Sequence, residues 1–256
     1  MTILDTFKLS NKTAIVTGGG RGLGAHIAEA YAEAGANVVV CSRDISACEE
    51  MSHKLKTYGV QSLAIECDVT NQEHIKNVVN ETLENFGSID ILVNNSGSSW
   101  AAPVEEMPYE AWAKVIDVNV TGTFLMSQAV GKVMIEQNKG KIINIASIAG
   151  FGGTPAFMQT IGYNTSKGAV MTFTKDLAVK WGKYNINVNA IAPGFFPTKM
   201  SKVLIDYGKE TILSNTPLKR LGKDSDIKGV AVFLASNASD YITGDILTVD
   251  GGAHAL

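Results

Sequence analysis

Short apolar runs recur along the chain, separated by longer stretches of mixed polarity. The runs occupy residues 13–17 (TAIVT), 37–41 (NVVVC), 62–66 (SLAIE), 89–94 (IDILVN), 141–146 (KIINIA), 186–192 (INVNAIA) and 246–249 (ILTV). They are rich in Val and Ile and nearly continuous, as strands covered on both faces should be. The intervening stretches carry helical spacing. Residues 22–34 place Leu23, Ile27, Ala30, Tyr31 and Ala34 on one stripe, and residues 71–86 do the same with Ile75, Val78, Val79, Leu83 and Phe86. Residues 108–136 and 165–182 read as two longer helices, and a further one is expected near 224–235. Strands alternating with helices predict βαβ units. The expected fold class is α/β, a Rossmann-type doubly wound domain with a parallel sheet of about seven strands, spanning residues 1–256 without linker or repeat. The least regular segment, 194–216, contains Pro197, Gly208 and Tyr207, and is expected to act as a lid.

Composition narrows the function classes. The 256 residues are 45% hydrophobic and only 18% charged, with a net charge of −3. A nucleic-acid-binding domain would be strongly basic. No apolar run is long enough to span a bilayer, and residues 1–12 lack the basic-then-apolar pattern of a signal peptide, so a cytoplasmic protein with no membrane partner is expected. Cys41, Cys48 and Cys67 form no CxxC pair and read as reduced thiols. His26, His53, His74 and His254 have no metal-ligand spacing, so no metal is expected and each reads as a helical or surface histidine.

The sequence VTGGGRGLG (16–24) follows the first expected strand and opens the first expected helix. Glycines in that position let the backbone turn tightly and approach a pyrophosphate, while the helix N-terminus offers free N–H groups to its charge. Past the second strand stand Ser42 and Arg43 rather than an acid. With Arg21 in the glycine loop, Arg43 can bracket a 2′-phosphate, which favours NADP, with NAD as the alternative. Asp44 lies where a ribose-binding acid is often sought and is read as the N-cap of the next helix.

In IGYNTSKGA (161–169), Tyr163 and Lys167 stand one helical turn apart. An ammonium beside a phenol favours phenolate, so the pair can move a proton. TGGGRGLG, NNSG (94–97), Ser147, YNTSK (163–167) and PGFFPT (193–198) follow one another in an order that resembles the short-chain dehydrogenase/reductase family from about residue 9 onward. The pattern is similar to the branch that holds 3-oxoacyl-carrier-protein reductases and gluconate 5-dehydrogenases.

That resemblance implies an oxidoreductase interconverting a ketone and a secondary alcohol by hydride transfer, on a small-molecule carbonyl or alcohol substrate. It implies Asn119, Ser147, Tyr163 and Lys167 as the catalytic set. Tyr163 would be the general acid or base, with its pKa lowered by Lys167; Ser147 would hold the substrate oxygen, and Asn119 a water reaching the lysine. It implies Gly18, Arg21, Gly22, Leu23 and Gly24 at the pyrophosphate, Asp68 and Val69 beside the adenine, and Asn95 along the cofactor. Tyr163, Lys167, Pro193, Gly194 and Thr198 would lie around the nicotinamide end. It also implies a homotetramer, with VDGG (249–252) near an interface.

Two departures stand out: Ser96 replaces the usual alanine, and the interval from Ser147 to Tyr163 is longer than usual, through FGGTPAFMQTIG. Trp100, Phe151, Phe157, Met158, Phe195 and Phe196 are expected around an apolar pocket. Lys132, Lys139, Lys141 and Lys183 are candidates for docking a carrier protein, and Lys199 and Lys202 for holding a sugar acid. A non-catalytic dinucleotide sensor is the competing class, and it has no need of all four residues of the catalytic set.

Overall fold

Val38 and Val40 bury into one apolar core, while Val39 and Cys41, the alternate residues of the same strand, bury into another. This division recurs across the sheet and is the physical reason for the continuous apolar runs: each strand supplies both faces. In the computed structural model, which describes residues 2–255, the strands are β1 (Thr13–Thr17), β2 (Asn37–Ser42), β3 (Ser62–Glu66), β4 (Ile91–Asn94), β5 (Gly140–Ile145), β6 (Ile186–Pro193) and β7 (Ile246–Val249). All neighbouring pairs are parallel, in the order β3-β2-β1-β4-β5-β6-β7.

Helices α1 (Gly22–Glu33), α2 (Ile45–Lys56) and α8 (Asp224–Ala235) cover one face through Ile27, Cys48, Leu55 and Ile227. Helices α3 (Gln72–Phe86), α5 (Gly122–Gln137) and α6 (Ile161–Trp181) cover the other through Ile75, Met126, Val130 and Leu177. Strand order reverses between β1 and β4. The loops leaving their carboxyl ends therefore part there and open the crevice in which such sheets bind ligands.

The structure differs from the sequence reading in three places. The long helix expected over 108–136 is α4 (Tyr109–Ile116), a π-helical turn over Asp117–Thr121, and α5. From the start of α5 the Thr123 hydroxyl donates back to the Asn119 carbonyl of that turn at 2.8 Å. Helix α6 begins at Ile161 rather than near 165, so Tyr163 and Lys167 share its first turns. The polar run there (GYNTSK) masks the helical period. The irregular segment 194–216 contains helix α7 (Lys202–Ser214), kinked at Gly208, with Ile205 and Ile212 buried beneath it.

Candidate active site

The glycine loop is shaped for close approach by another group. Gly18 and Gly22 have φ of +62° and +57°, a region that residues with a Cβ enter at a cost. Arg21 caps α1 without a side-chain hydrogen bond to the helix, so the first-turn N–H groups are open to an anion. Across the crevice, a Cβ on Gly22 would stand 3.6 Å from the Thr198 methyl. Loop and helix end together form a cradle that fits a dinucleotide pyrophosphate. Leu23, Pro193, Gly194 and Thr198 line one cavity with Ser147 and Tyr163. Thr198 is fixed by Ser201, whose hydroxyl accepts from the Thr198 N–H at 2.9 Å.

Asn95 holds this region together. Its Nδ2 donates to the carbonyls of Thr17 and Gly18 at 2.9 and 3.1 Å, and its backbone N–H donates to Thr17 Oγ1 at 3.0 Å. Both amide donors are therefore spent on the glycine loop, so Asn95 braces the loop. Val69 packs under the Gly122 end of α5 as part of the core, with only 6% of it exposed. Asp68 accepts from the Thr70 N–H and hydroxyl at 2.9 and 2.7 Å. Burial works against its ionisation, but these bonds and the nearby Arg43 and His74 hold the carboxyl below its ordinary range.

At the far end of the crevice, Asp44 caps α2 by accepting from the Ala47 N–H at 3.2 Å, as expected. It also pairs with Arg21 at 2.7 Å. The Ser42 hydroxyl donates to the Asp44 carbonyl at 3.0 Å. Arg21, Ser42 and Asp44 are thus linked beside the glycine loop, and Arg43 between Ser42 and Asp44 is exposed. Of the two arginines expected to bracket a 2′-phosphate, Arg21 already has an anionic partner in Asp44.

The chemical end is built by two elements. Ser147 ends the strand run as the N-cap of a short turn over Ile148–Gly150, and its hydroxyl accepts from the Ala149 N–H at 3.2 Å. Gly150 presses against α6, where a Cβ would come within 2.7 Å of the Lys167 backbone. That close approach brings Ser147 to Tyr163, near enough for its hydroxyl to favour the phenolate. Lys167 is 5% exposed and donates to the Ile145 carbonyl at 2.6 Å, with its ammonium 5.5 Å from the centre of the Tyr163 ring.

The electrostatics differ from the expected lowering of the phenol. Burial raises the Tyr163 pKa, and Ser147 only partly offsets it. Burial also pushes the Lys167 ammonium down, to about 8. The protein groups alone therefore disfavour both charged forms.

Asn119, 1% exposed, lies behind Lys167 in the π-helical turn. Its Oδ1 accepts from the Ser98 N–H at 2.7 Å, and its Nδ2 donates to the Ser98 carbonyl and Ser166 Oγ at 2.9 and 2.8 Å. With both donors used, a water could be held there only through acceptor oxygens. A second buried chain runs under the site, from Ser127 through Asn94 and Asn144 to Thr174, with spacings of 2.8 to 2.9 Å.

The cavity is about 500 Å³ and joins Ser147 and Tyr163 to Met158, Phe195 and Phe196 as expected. Three other aromatics do not line it. Trp100 is half exposed, Phe157 packs on the kink at Gly208, and Phe151 stacks on His254 at 3.9 Å. Hydroxyl and amide side chains absent from the sequence reading also line the cavity: Ser99, Thr154, Asn164, Thr211 and Asn215, together with His254. Thr154 and Asn164 lie within and just after the long Ser147–Tyr163 interval, which was the signal available for them. Nothing in the sequence places His254 there.

Three of the four carrier-docking lysines lie at the opposite end of the sheet. Lys141 opens β5 and is buried against Asp240 at 2.8 Å, Lys139 faces Asp90, and Lys183 precedes β6. Lys199 and Lys202 are exposed and do not line the cavity. Among the described residues no cluster suited to a metal occurs, the three cysteines are free and buried, and no helix is long and apolar enough to cross a membrane.

A family model described as enoyl-(acyl carrier protein) reductase matches residues 18–254, from the glycine loop through the Tyr163–Lys167 helix and beyond. The chain belongs to the short-chain dehydrogenase/reductase family. It is an oxidoreductase that interconverts a carbonyl and an alcohol.

The chain is 43% identical over 253 residues to a 2-dehydro-3-deoxy-D-gluconate 5-dehydrogenase of Bacillus subtilis (strain 168), covering 97% of this chain and 96% of that one. It is 38% identical over 250 residues to a 5-keto-D-gluconate 5-reductase of Escherichia coli (strain K12), covering 97% of each. Among solved structures, a gluconate 5-dehydrogenase from Burkholderia cenocepacia J2315, in complex with NADP and tartrate, superposes with a TM-score of 0.95 at 35% identity over 100% of both chains.

Proposed function

We propose that the chain is an NADP(H)-dependent enzyme that interconverts a keto sugar acid and the corresponding hydroxy acid. The observation that carries this reading is the set of hydroxyl and amide side chains, Thr154, Asn164, Thr211 and Asn215, that shares one cavity with Ser147 and Tyr163. Asn164 is pre-set for hydrogen bonding, donating to Thr154 Oγ1 at 2.9 Å and accepting from Thr160 Oγ1 at 3.1 Å. Such groups suit a polyhydroxylated chain better than an acyl tail. Three of the four lysines offered for carrier docking, Lys139, Lys141 and Lys183, stand at the wrong end of the sheet for an acyl-carrier substrate. Relatives named for gluconate derivatives support the same choice.

Bound in the crevice, the nicotinamide cofactor supplies or accepts the hydride. Tyr163 gives its proton to the carbonyl oxygen in reduction and takes one back in oxidation. Ser147 orients that oxygen through its hydroxyl. Lys167 holds a positive charge behind the phenol, and Asn119 fixes the backbone of Ser98 beside it. Arg21, Ser42 and Arg43 select the 2′-phosphate. Gly18, Gly22, Leu23 and Gly24 receive the pyrophosphate, and Thr198 the carboxamide.

Residues 194–216, α7 included, act as a lid hinged near Gly208. Exposed Tyr109, Phe124 and Val179, on helices α4, α5 and α6, provide an apolar face for a homotetramer. Buried free thiols suit a cytoplasmic setting.

NADPH oxidation with 5-keto-D-gluconate, a neutral β-keto ester and an acetoacetyl thioester tests the reading. It expects the highest kcat/KM with the sugar acid, and faster turnover of the thioester would overturn it.

A further inference from the structure

His254 belongs to none of the motifs, yet it lines the cavity that holds Tyr163 and Ser147. The chain reaches that point by a built turn. After β7, Gly251 and Gly252 reverse the backbone with φ of +67° and +89°. The Asp250 carboxylate then accepts from the Gly252 N–H at 2.9 Å and from the His254 N–H at 2.7 Å, fixing the short turn Ala253–Ala255. The imidazole stacks on the Phe151 ring, 3.9 Å between centres and 18° between planes. Phe151 in turn caps the helical turn that Ser147 begins. The tail and the serine's own turn are thus pinned together at the cavity rim.

Two further observations give this placement a chemical meaning. Among the described residues, no Lys, Arg, Asp or Glu lines the cavity, so His254 is its one side chain able to carry a positive charge. Its ring nitrogens have no hydrogen-bond partner among the described residues, and the Asp250 carboxylate is engaged by backbone amides. A histidine donates a hydrogen bond in either protonation state and adds charge when protonated. Stacking on Phe151 holds the ring in one orientation at the rim.

We propose that His254 is the anchor for the carboxylate of the substrate, fixing which end of a keto acid lies at the rim and so which carbon meets Tyr163. This rests on the sugar-acid reading above. His254 is a specificity-determining residue here and takes no part in the hydride or proton transfer.

The test compares the full-length enzyme with His254→Ala and His254→Lys. Two reactions are followed by NADPH oxidation: reduction of 5-keto-D-gluconate and reduction of the neutral ketone ethyl acetoacetate. Tartrate is added to the second as a competing hydroxy acid. His254→Ala is expected to lower kcat/KM for the keto acid roughly tenfold further than for the neutral ketone, mainly through KM, the scale of one lost charged hydrogen bond. The tartrate inhibition constant should rise by a similar factor, and His254→Lys should recover most of both effects.

Equal losses on acid and neutral ketone would mark a packing role and overturn the proposal. So would tartrate inhibition that is absent, or the same in wild type and His254→Ala. If the wild type reduces ethyl acetoacetate but not 5-keto-D-gluconate, the sugar-acid reading falls by itself. The anchor then stands or falls on whether tartrate inhibition depends on residue 254.

Discussion

The Lys167 ammonium donates to the Ile145 carbonyl at 2.6 Å and stands 5.5 Å from the centre of the Tyr163 ring. It is therefore held by the end of β5 and reaches the phenol through space rather than through a hydrogen bond. Burial lowers its pKa to about 8, while burial raises that of Tyr163. Ketone reduction needs the phenol protonated and is helped by a charged lysine. The phenol keeps its proton across the range in which the ammonium is lost. The kcat/KM for reduction, which reports the free enzyme, is expected to fall as pH rises through about 8. Tyr163→Phe should abolish turnover with NADPH affinity nearly unchanged, since it removes the transferable proton. A Tyr163→Phe variant that keeps a substantial kcat, or a flat profile across that pH range, would refute these roles.

Cofactor choice turns on the cluster at the end of β2. Arg21 must exchange the Asp44 carboxylate for a phosphate, and the exposed bridge between them costs little to break. NADPH is expected to be preferred over NADH by on the order of tenfold, about 1.4 kcal/mol. Asp44→Asn keeps a good helix cap and removes the competing charge, so it should widen that preference. Ser42→Asp with Arg43→Ala should invert it. The kcat/KM for both cofactors in the three proteins decides the matter, and a wild-type enzyme preferring NADH would make Asp44 a ribose ligand.

The lid makes its own prediction. Helix α7 is held from below by Ile205 and Ile212, and its kink at Gly208 rests on the Phe157 ring. Two buried apolar side chains beneath a helix of 13 residues mean a low local opening free energy for α7. Amide exchange over residues 194–216 should slow when NADPH is added. Equal exchange with and without it would remove the lid.

Away from the site, Glu29 ties three helices together. On α1, it accepts from Tyr58 Oη at 2.7 Å, pairs with Lys228 of α8 at 2.8 Å, and also pairs with Lys54 of α2. Burial opposes its ionisation, but Lys228, Lys54 and Tyr58 outweigh it and hold the carboxyl at about 2, against an ordinary 4.5. The folded state then binds fewer protons than the unfolded one between those values, so stability falls as pH drops through that window. Glu29→Gln should cost roughly 2–3 kcal/mol at neutral pH, given about 1.4 kcal/mol per pKa unit. That deficit should shrink as pH falls from about 4.5 towards about 2. Urea unfolding of both proteins across the range measures it, and a deficit that does not change with pH would mean that Glu29 acts through packing alone.

Much of this molecule was legible in its order of residues. The strand runs alone dictate a two-faced sheet, because only strands buried on both sides can be apolar at consecutive positions. The glycine loop, placed between a strand and a helix, marks the phosphate end, and Tyr163 with Lys167 marks the chemical end through helical spacing. These are local facts, set by one element and its neighbours.

The tertiary structure decided the rest. Parallel strands bring together loops far apart in sequence, so no spacing could announce that Asn95 braces Gly18, that Arg21 meets Asp44, or that Asn119 spends its amide on Ser98 and Ser166. Nor could a spacing show that Lys139 and Lys141 lie at the wrong end of the sheet to serve the mouth. His254 is the clearest case. It becomes part of the cavity only because two glycines with positive φ and the Asp250 carboxylate turn the chain back onto Phe151, and that meeting exists in space alone.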